Sequence, residues 1–295
     1  MSSDAPRTCV STSDSVPAPG GPADESPEKL HAFVRELAIA AGELHLSRLM
    51  DPGKIREKGP KDLVTEVDLL SEELLISRIR ERYPEDSILS EEQGGEISLT
   101  GRTWLLDPVD GTANFARANP LFCVCISVVE GDRITHAAVG APRLGDIYHA
   151  RLGGGAYRES ASGETHPLRV GSAKRLADSF VGADVSYRGS NDPRKNGTLE
   201  VFKRCWQVRS LGSAGIRGAW LAAGYLDVSI GTRNTAWDYA PTALLVAEAG
   251  GQVSNLTGGP WTYDSDGLLA TNNETLHAEA LEVLATGGGS ASARR

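Results

Sequence analysis

A short apolar run that ends in two closely spaced carboxylates is the feature that most limits how this chain can fold. In WLLDPVDGTANF, residues 104–115, Asp107 follows the run directly, and Asp110 comes after one proline and one valine. The run is typical of a buried strand, and the end of a strand opens onto a cleft. Pro108 predicts a turn that brings Asp110 back alongside Asp107.

The residues after this doublet predict a helix start that suits a phosphate group. Gly111 lets the backbone approach a ligand closely, and Thr112 and Asn114 place polar groups in the first turn. Free N–H groups at a helix N-terminus bind phosphate. The alternative is that Asp110 only caps this helix and Asp107 is a turn residue at the surface.

Three further segments place acidic residues after an apolar run in the same way. Glu91 and Glu92 follow the run SIL, Asp68 ends KDLVTEVD, and Asp238 follows Trp237 at a predicted helix start. Taken singly, the two glutamates also fit a solvated loop, and Asp68 and Asp238 also fit helix caps. Their recurrence is what favours a shared site.

Together, these junctions suit a hard divalent cation. Mg²⁺ takes about six oxygen ligands at about 2.0–2.1 Å, and Asp107 and Asp110 could bridge two ions about 3.5–4 Å apart. Zinc is disfavoured because the chain has no cluster of histidine and cysteine. Cys123 and Cys125 would share one face of a strand, and buried thiols are favoured over metal ligands because no second Cys or His pair accompanies them.

Composition excludes several classes of protein. The chain has 295 residues, 40% hydrophobic and 23% charged, which is typical of a soluble globular protein large enough for two lobes. A net charge of −9 argues against unspecific binding to nucleic acid or to an anionic membrane. No apolar run approaches the length of about 18 residues that a membrane span requires. Four cysteines do not form a disulfide framework in so long a chain, and we expect a cytoplasmic protein.

Local patterns predict one ordered region between two disordered tails. Residues 1–26 are rich in Ser, Pro, Ala and Gly, and 287–295 are similar in character. Ser26 caps a predicted first helix, Pro27 begins it, and Pro52 and Gly53 end it. The ordered domain is predicted over 27–286, with lobes at about 27–180 and 181–286.

Helices and strands alternate in the ordered region without a strict βαβ rhythm, which indicates layered sheets and helices. A helix is predicted from AWDYAPTALLVAEAGG, with Asp238 at its start, Pro241 in its first turn, and Gly250 and Gly251 past its end. RLGGGAYRE predicts a glycine hairpin, because it lacks the Lys-Ser/Thr ending of a phosphate loop. Further helices are predicted over 68–83 and 212–224, short strands over 87–89 and 103–106, and a β region over 121–169.

The motifs resemble those of the inositol monophosphatase family. DPVDGTANF resembles its Asp-Pro-Ile-Asp-Gly-Thr signature, and SEE resembles its upstream Gly-Glu-Glu element. KGPKDLVTEVD and WDYAPTALLVAEAGG are similar to two further motifs of the family, and all four occur in the family's order over residues 28–286. The resemblance implies an α+β fold, a layered αβαβα sandwich of two lobes like that of fructose-1,6-bisphosphatase.

The resemblance also implies the parts of the site. It implies two or three Mg²⁺ ions, a water nucleophile, inhibition by Li⁺, and a homodimer. Lys58 is either an electrostatic helper near the site or a solvated lysine. The implied metal ligands are Glu91, Asp107, Asp110, Asp238 and the carbonyl of Val109; the catalytic residues are Glu91, Thr112 and Asp68; and the substrate contacts are Val109, Asp110, Gly111, Thr112, Gly212, Ser213, Ala214 and Asp238.

One position departs from the family. Gly231 stands where the family usually has a glutamate that contacts the inositol ring. Its absence leaves the metal chemistry intact and weakens the assignment to inositol. Nearby arginines could bind a second anionic group, or they could be ordinary surface residues: Arg188, Arg209, Arg217 and Arg233.

Three hypotheses follow for function. The first is a Mg²⁺-dependent hydrolase of a cyclitol or small polyol phosphate, with inositol 1-phosphate as the preferred substrate. The second keeps this chemistry and changes the substrate to a nucleotide bisphosphate, fructose 1,6-bisphosphate or histidinol phosphate. The third is a regulatory module that binds metal or a phosphorylated metabolite without hydrolysis, and the presence of Glu91, Thr112 and Asp68 together argues against it.

Overall fold

The computed structural model describes residues 26–59, 62–98, 100–183, 193–233 and 235–289 of the chain. Cys9 and Arg188 lie outside the described residues, and so do the predicted tails except for residues 26 and 287–289. None of the helices formed by the described residues is both long enough and apolar enough to span a bilayer.

The helices are numbered along the chain within these residues. They are α1 Pro27–Arg48, α2 Glu66–Arg82, α3 Thr112–Phe115, α4 Pro193–Phe202, α5 Ala214–Ala222, α6 Ala236–Glu248 and α7 Glu274–Gly289, with a short 3₁₀ helix at Leu176–Asp178. The last helix continues past residue 286, where the sequence predicted the ordered domain to end.

The strands form three sheets. They are β1 Ile55–Gly59, β2 Asp62–Thr65, β3 Ser87–Ser90, β4 Gly94–Gly95, β5 Arg102–Asp110, β6 Cys123–Glu130, β7 Arg133–Ala141, β8 Asp146–Arg151, β9 Gly155–Ser160, β10 Thr165–Pro167, β11 Phe180–Ala183, β12 Gln207–Arg209, β13 Val228–Gly231, β14 Gln252–Ser254 and β15 Leu268–Thr271. Strands β1 and β2 form a hairpin, an eight-stranded sheet has the order β10-β9-β8-β7-β6-β5-β3-β4, and a five-stranded sheet has the order β12-β11-β13-β15-β14.

The two larger sheets and the helices stack as alternating layers. Helices α1 and α2 pack their apolar side chains on one face of the eight-stranded sheet. Helices α5 and α6 lie between this sheet and the five-stranded sheet, and they contact both. Helices α4 and α7 cover the outer face of the five-stranded sheet. The fold is therefore the α+β layered sandwich that the sequence predicted.

Strand β5 lies at the centre of this arrangement. Each of its residues from Arg102 to Asp110 is buried, which explains why its sequence lacks polar alternation. The structure corrects one prediction here, because Pro108 does not form a turn after the strand. The strand continues to Asp110 through an irregularity between Asp107 and Asp110.

The helix starts follow local capping chemistry, and two helix boundaries differ from those predicted from the sequence. Ser26 caps α1 as predicted, but the helix ends at Arg48, before Pro52. Helix α2 begins at Glu66, earlier than the predicted residue 68, because Thr65 and Asp68 form a reciprocal capping box. Ser213 caps α5 through the backbone N–H of Ile216.

Pro241 was predicted in the first turn of the helix over AWDYAPTALLVAEAGG, and this was wrong. Helix α6 begins at Ala236, so Pro241 lies in its interior. Proline has no N–H, and the carbonyl of Trp237 therefore lacks its usual helical donor. The glycine hairpin was predicted correctly, since β8 and β9 pair antiparallel with Arg151 opposite Gly155.

A buried ion pair anchors the start of β5. The Nε atom of Arg102 lies 2.5 Å from Oδ2 of Asp86, and Nε1 of Trp104 donates to the same oxygen at 2.8 Å. Replacing Asp86 would leave a buried guanidinium and an indole N–H without their acceptor.

We therefore expect Asp86→Ala to lower the free energy of unfolding by about 3 kcal/mol, because removing one partner of a buried pair leaves an uncompensated charge. Urea denaturation followed by circular dichroism measures this. The control is Asp178→Ala, which breaks the exposed pair with Arg175 and should cost less than about 1 kcal/mol. Equal losses in the two variants would contradict the role given to Asp86.

Candidate active site

A β-bulge places the two carboxylates of β5 on one face of the sheet. Residues three apart on a regular strand point to opposite faces. Here Asp107 pairs with Cys125 and Asp110 pairs with Cys123, so β5 has one more residue than β6 over this interval. The extra residue turns Asp110 to the same side as Asp107, which is the side facing α5 and α6.

Two other elements bring further carboxylates to this point. Strand β3 runs parallel to β5 with Ser90 beside Leu106, and the backbone N–H of Glu91 donates to the carbonyl of Leu106 at 3.1 Å. Glu91 therefore leaves β3 where Asp107 leaves the regular part of β5. Asp238 lies in the first turn of α6, where Oγ1 of Thr235 donates to its Oδ2 at 2.6 Å.

The carboxylates form a compact cluster. Oxygen atoms of Asp107, Asp110 and Asp238 lie within 4.8 Å of one another. Burial, followed by the charges of Glu91 and Asp238, raises the pKa of Asp107 well above its usual range. Burial and the charge of Asp110 raise the pKa of Asp238 to about 7, and burial also raises the pKa of Glu91. A divalent cation would offset this repulsion, and the all-oxygen donor set fits a hard cation such as Mg²⁺.

A second group of contacts joins Thr112 to α2. The hydroxyl of Thr112 lies 2.9 Å from Oδ1 of Asp68 and 3.0 Å from the carbonyl of Val109. The other oxygen of Asp68 accepts from the N–H and the hydroxyl of Thr65, at 2.9 and 2.6 Å. Burial raises the pKa of Asp68. Asp68 is thus both part of a helix cap and a partner of Thr112.

Asp110 is held by the start of α5. Its Oδ2 accepts from the hydroxyl of Ser213 and the N–H of Gly215, each at 2.6 Å, and its Oδ1 accepts from the N–H of Ala214 at 3.1 Å. An acidic side chain at the start of a helix is favoured by the free N–H groups and the dipole there. The sequence had linked Gly212, Ser213 and Ala214 only with the substrate side, so this contact with Asp110 was missed.

Gly111 makes the turn between β5 and α3 possible. Its φ is +90°, and an added Cβ would lie 2.9 and 3.0 Å from the carbonyl oxygens of Leu121 and Gly212. Asn114 fixes the same junction, since its Nδ2 donates to the carbonyls of Leu121 and Leu211 at 2.6 and 2.8 Å.

Lys58 lies at the site. Its ammonium contacts Oε1 of Glu91 at 3.1 Å and pairs with Glu92. Burial lowers the pKa of Lys58, but the contacts with Glu92 and Glu91 outweigh this and raise it overall. Lys58 is exposed, and its ammonium is nevertheless paired with two glutamates at the edge of the cavity.

Two supporting residues were missed from the sequence, although a signal was present. Oε1 of Glu72 accepts from the N–H groups of Glu92 and Gln93, both at 3.1 Å. The hydroxyl of Ser71 donates to the carbonyl of Pro108 at 3.2 Å. Both residues follow Asp68 at helical spacing, so one buried polar face of α2 supports the loop after β3 and the bulge.

The site opens onto a cavity of about 370 Å³. Its lining includes Lys58, Glu91, Thr112 and the three aspartates, Asp107, Asp110 and Asp238. A second cavity of about 280 Å³ adjoins it, and Asp110, Gly212, Arg233 and Asp238 line both.

The family model described as "Inositol monophosphatase family" matches residues 26–287. The chain belongs to the inositol monophosphatase family. It is 30% identical over 229 residues to a fructose-1,6-bisphosphatase/inositol-1-monophosphatase of Thermotoga maritima, covering 78% of this chain and 85% of that protein. It is 34% identical over 249 residues to the Nus factor SuhB of Escherichia coli, covering 82% of this chain and 90% of that protein.

A structure of inositol monophosphatase from Anabaena (Nostoc) superimposes with a TM-score of 0.76 at 26% sequence identity, covering 88% of this chain and 96% of that one. The layered fold derived above is therefore that of an inositol monophosphatase family member.

The structure explains the family departure at Gly231. A Cβ atom at this position would lie 2.3 Å from Cζ and 2.5 Å from the hydroxyl oxygen of Tyr239. The Tyr239 ring occupies the space that any side chain at 231 would need, and its hydroxyl accepts from the N–H of Arg233 at 3.4 Å. A residue larger than glycine at 231 would therefore require the Tyr239 side chain to move or to be replaced.

The predicted arginine cluster separates in space. Arg217 and Arg233 line the second cavity beside Gly231 and Tyr239. Arg217 is buried, and its Nε donates to the hydroxyl of Ser229 at 3.0 Å. Arg209 instead stacks on the ring of Phe180.

The carboxylate cluster predicts a stability that depends on both pH and Mg²⁺. The pKa of Asp238 is raised from 3.8 to about 7 in the fold, so its neutral form stabilises the protein at low pH, and this contribution is lost as pH rises through about 7. Mg²⁺ bound among the carboxylates should reverse that loss.

We therefore expect the stabilisation by Mg²⁺, relative to a chelator, to grow between about pH 4 and pH 7. Urea denaturation at a series of pH values measures it. Asp107→Asn should remove most of the Mg²⁺ effect, whereas Asp178→Asn on the surface should keep it. A Mg²⁺ effect that is unchanged in Asp107→Asn would contradict the shared site.

Proposed function

We propose that this chain is a Mg²⁺-dependent phosphatase that hydrolyses a phosphate monoester of a cyclitol or small polyol, with inositol 1-phosphate as the preferred substrate. One observation carries the proposal: the oxygen atoms of Asp107, Asp110 and Asp238 gather within 4.8 Å at the wall of a cavity that also contains Glu91 and Thr112. Membership of the inositol monophosphatase family supports it.

The metal site is assigned to Glu91, Asp107, Asp110, Asp238 and the carbonyl of Val109. We propose two or three Mg²⁺ ions, in keeping with the two-metal sites of phosphatases. When bound, Mg²⁺ would supply positive charge against the phosphate dianion and the leaving alkoxide, and would make water a better nucleophile. Lys58 holds Glu91 in place from the cavity side.

Glu91, Thr112 and Asp68 are assigned to the attacking water. The Thr112 hydroxyl donates to Asp68, so its lone pairs remain available to accept a hydrogen bond from water. As a proton passes from water to Oγ1 of Thr112, the threonine proton can pass to Oδ1 of Asp68. Burial raises the pKa of Asp68, which makes it a better acceptor for that proton.

The substrate is assigned to the two adjoining cavities. The phosphate contacts are Gly111 and Thr112 beside Val109, Asp110 and Asp238, and the polyol lies toward Gly212, Ser213 and Ala214, which line the second cavity. The proposed protein is a homodimer, is located in the cytoplasm and has no nucleic-acid partner. These three points rest on the family resemblance and on the acidic net charge.

A substrate with two phosphate groups is the second candidate. Arg217 and Arg233 line the second cavity, where a cation would attract a further anionic group. The Thermotoga relative is named both a fructose-1,6-bisphosphatase and an inositol-1-monophosphatase. Histidinol phosphate is disfavoured, because Gly231 offers no carboxylate to its ammonium group.

Values of kcat/KM on inositol 1-phosphate, fructose 1,6-bisphosphate, a nucleotide bisphosphate and histidinol phosphate decide among these substrates. A preference for either bisphosphate would replace inositol 1-phosphate in the proposal. A regulatory role without hydrolysis remains the candidate from another class, and the relative named a Nus factor makes it worth testing. Release of phosphate from none of the esters in Mg²⁺ would favour it.

Thr112 provides the sharpest test of the chemistry. We expect Thr112→Ala to lower kcat by about 100-fold or more, because it removes the hydroxyl that links water to Asp68. Thr112→Ser keeps the hydroxyl and should retain most of the activity. Phosphate release and circular dichroism, measured together, separate catalysis from folding. A fully active alanine variant would refute the assignment.

A further inference from the structure

Two buried thiols lie directly behind Asp110. Cys123 and Cys125 point to the same face of β6, and their Sγ atoms are 3.9 Å apart. The Sγ atom of Cys123 lies 3.3 Å from Oδ2 of Asp110. One ligand atom from each of the three residues lies within 4.8 Å of the others.

We propose that Cys123, Cys125 and Asp110 form a binding site for a thiophilic divalent cation such as Zn²⁺ or Cd²⁺, and that this ion withdraws Asp110 from the Mg²⁺ site. Binding of the ion does not depend on the proposed function. Its inhibitory effect does rest on the proposed function, since it requires Asp110 to serve the catalytic Mg²⁺.

The spacing of the ligand atoms fits such an ion. At a Zn–S distance of about 2.3 Å, two sulfur ligands on a tetrahedral ion are about 3.8 Å apart. With a Zn–O distance of about 2.1 Å, a sulfur and an oxygen ligand are about 3.6 Å apart. The corresponding separations here are 3.9 and 3.3 Å, and the third pair, Cys125 and Asp110, lies within 4.8 Å.

Gly215 packs closely against the three atoms. A Cβ added there would lie 2.4 Å from Sγ of Cys125, 2.8 Å from Sγ of Cys123 and 3.1 Å from Oδ2 of Asp110. A larger residue at 215 would therefore displace the three ligand atoms, so glycine is required for them to stay close together. The hydroxyl of Ser213, 3.4 Å from Sγ of Cys123, is a fourth possible ligand.

Ligand chemistry separates this site from the neighbouring one. Thiolate sulfur selects soft or borderline ions such as Zn²⁺ and Cd²⁺, whereas Mg²⁺ binds oxygen. On binding, two sulfur–metal bonds form, and the two thiol protons leave to water. Asp110 is common to both sites, so an ion on its Oδ2 competes with Mg²⁺ for this carboxylate.

The sequence favoured buried thiols here, and both cysteines are indeed free and buried. The site was not visible in the sequence, because Asp110 and Gly215 approach the cysteines only through the bulge in β5 and the start of α5.

Binding is tested with Cd²⁺ on the full chain after treatment with chelator. We expect an ultraviolet charge-transfer band from thiolate to Cd²⁺ that saturates at one ion per chain, whereas Cd²⁺ held only by carboxylates gives no such band. Cys125→Ala should lower the affinity by about tenfold or more, and Cys205→Ala should not change it. No band in the wild-type chain, or an equal band in Cys125→Ala, would overturn the site.

Inhibition is tested by phosphate release at saturating Mg²⁺. We expect Cd²⁺ to inhibit the wild type, and we expect Cys125→Ala to turn over normally and to need about tenfold more Cd²⁺. Should the alanine variant not fold, Cys125→Ser supplies the same comparison. A band without inhibition would overturn the sharing of Asp110. If the wild-type protein releases phosphate from none of the esters, the proposed function is contradicted. The charge-transfer band would still test whether Cd²⁺ binds at Cys123, Cys125 and Asp110.

Discussion

The candidate site depends on one irregularity, the extra residue in β5 between Asp107 and Asp110. In an unbroken strand, Asp110 would point with Trp104 and Leu106 into the layer covered by α1 and α2, where an unpaired carboxylate would be costly. The bulge turns it toward α5, which supplies donors for both of its oxygens. The same strand can therefore serve as a buried centre of the sandwich and carry two carboxylates into one cavity.

The carboxylate cluster is unfavourable by itself, and the surrounding structure holds it in place. Burial and mutual repulsion raise the pKa values of Asp107 and Asp238. The fold opposes this repulsion with the start of α5 on Asp110 and with Thr235 on Asp238, and the two apolar layers around β5 fix the strand that carries the carboxylates. A buried cluster of this kind would attract a divalent cation, so the repulsion among the carboxylates and the proposed chemistry have the same origin.

The local sequence is sufficient to predict much of the fold and to identify the acidic residues of the site. Apolar runs predicted the buried strands, Ser26 predicted the start of α1, and the acidic motifs named residues that the structure brings together. The rest depends on contacts between distant segments. Pairing with β6 creates the bulge, α5 reaches Asp110 from about 100 residues away, and Tyr239 fills the space beside Gly231. No local pattern contains these contacts, and Pro108 was misread as a turn for that reason.

The most direct test of the shared metal site is crystallography of the full chain with Mn²⁺ in place of Mg²⁺, with diffraction measured at the manganese absorption edge. If the three aspartates share a metal site, we expect anomalous density at bonding distance, about 2.2 Å, from oxygens of Asp107, Asp110 and Asp238. Anomalous density that lies elsewhere, or none at saturating Mn²⁺ in the presence of phosphate, would contradict it.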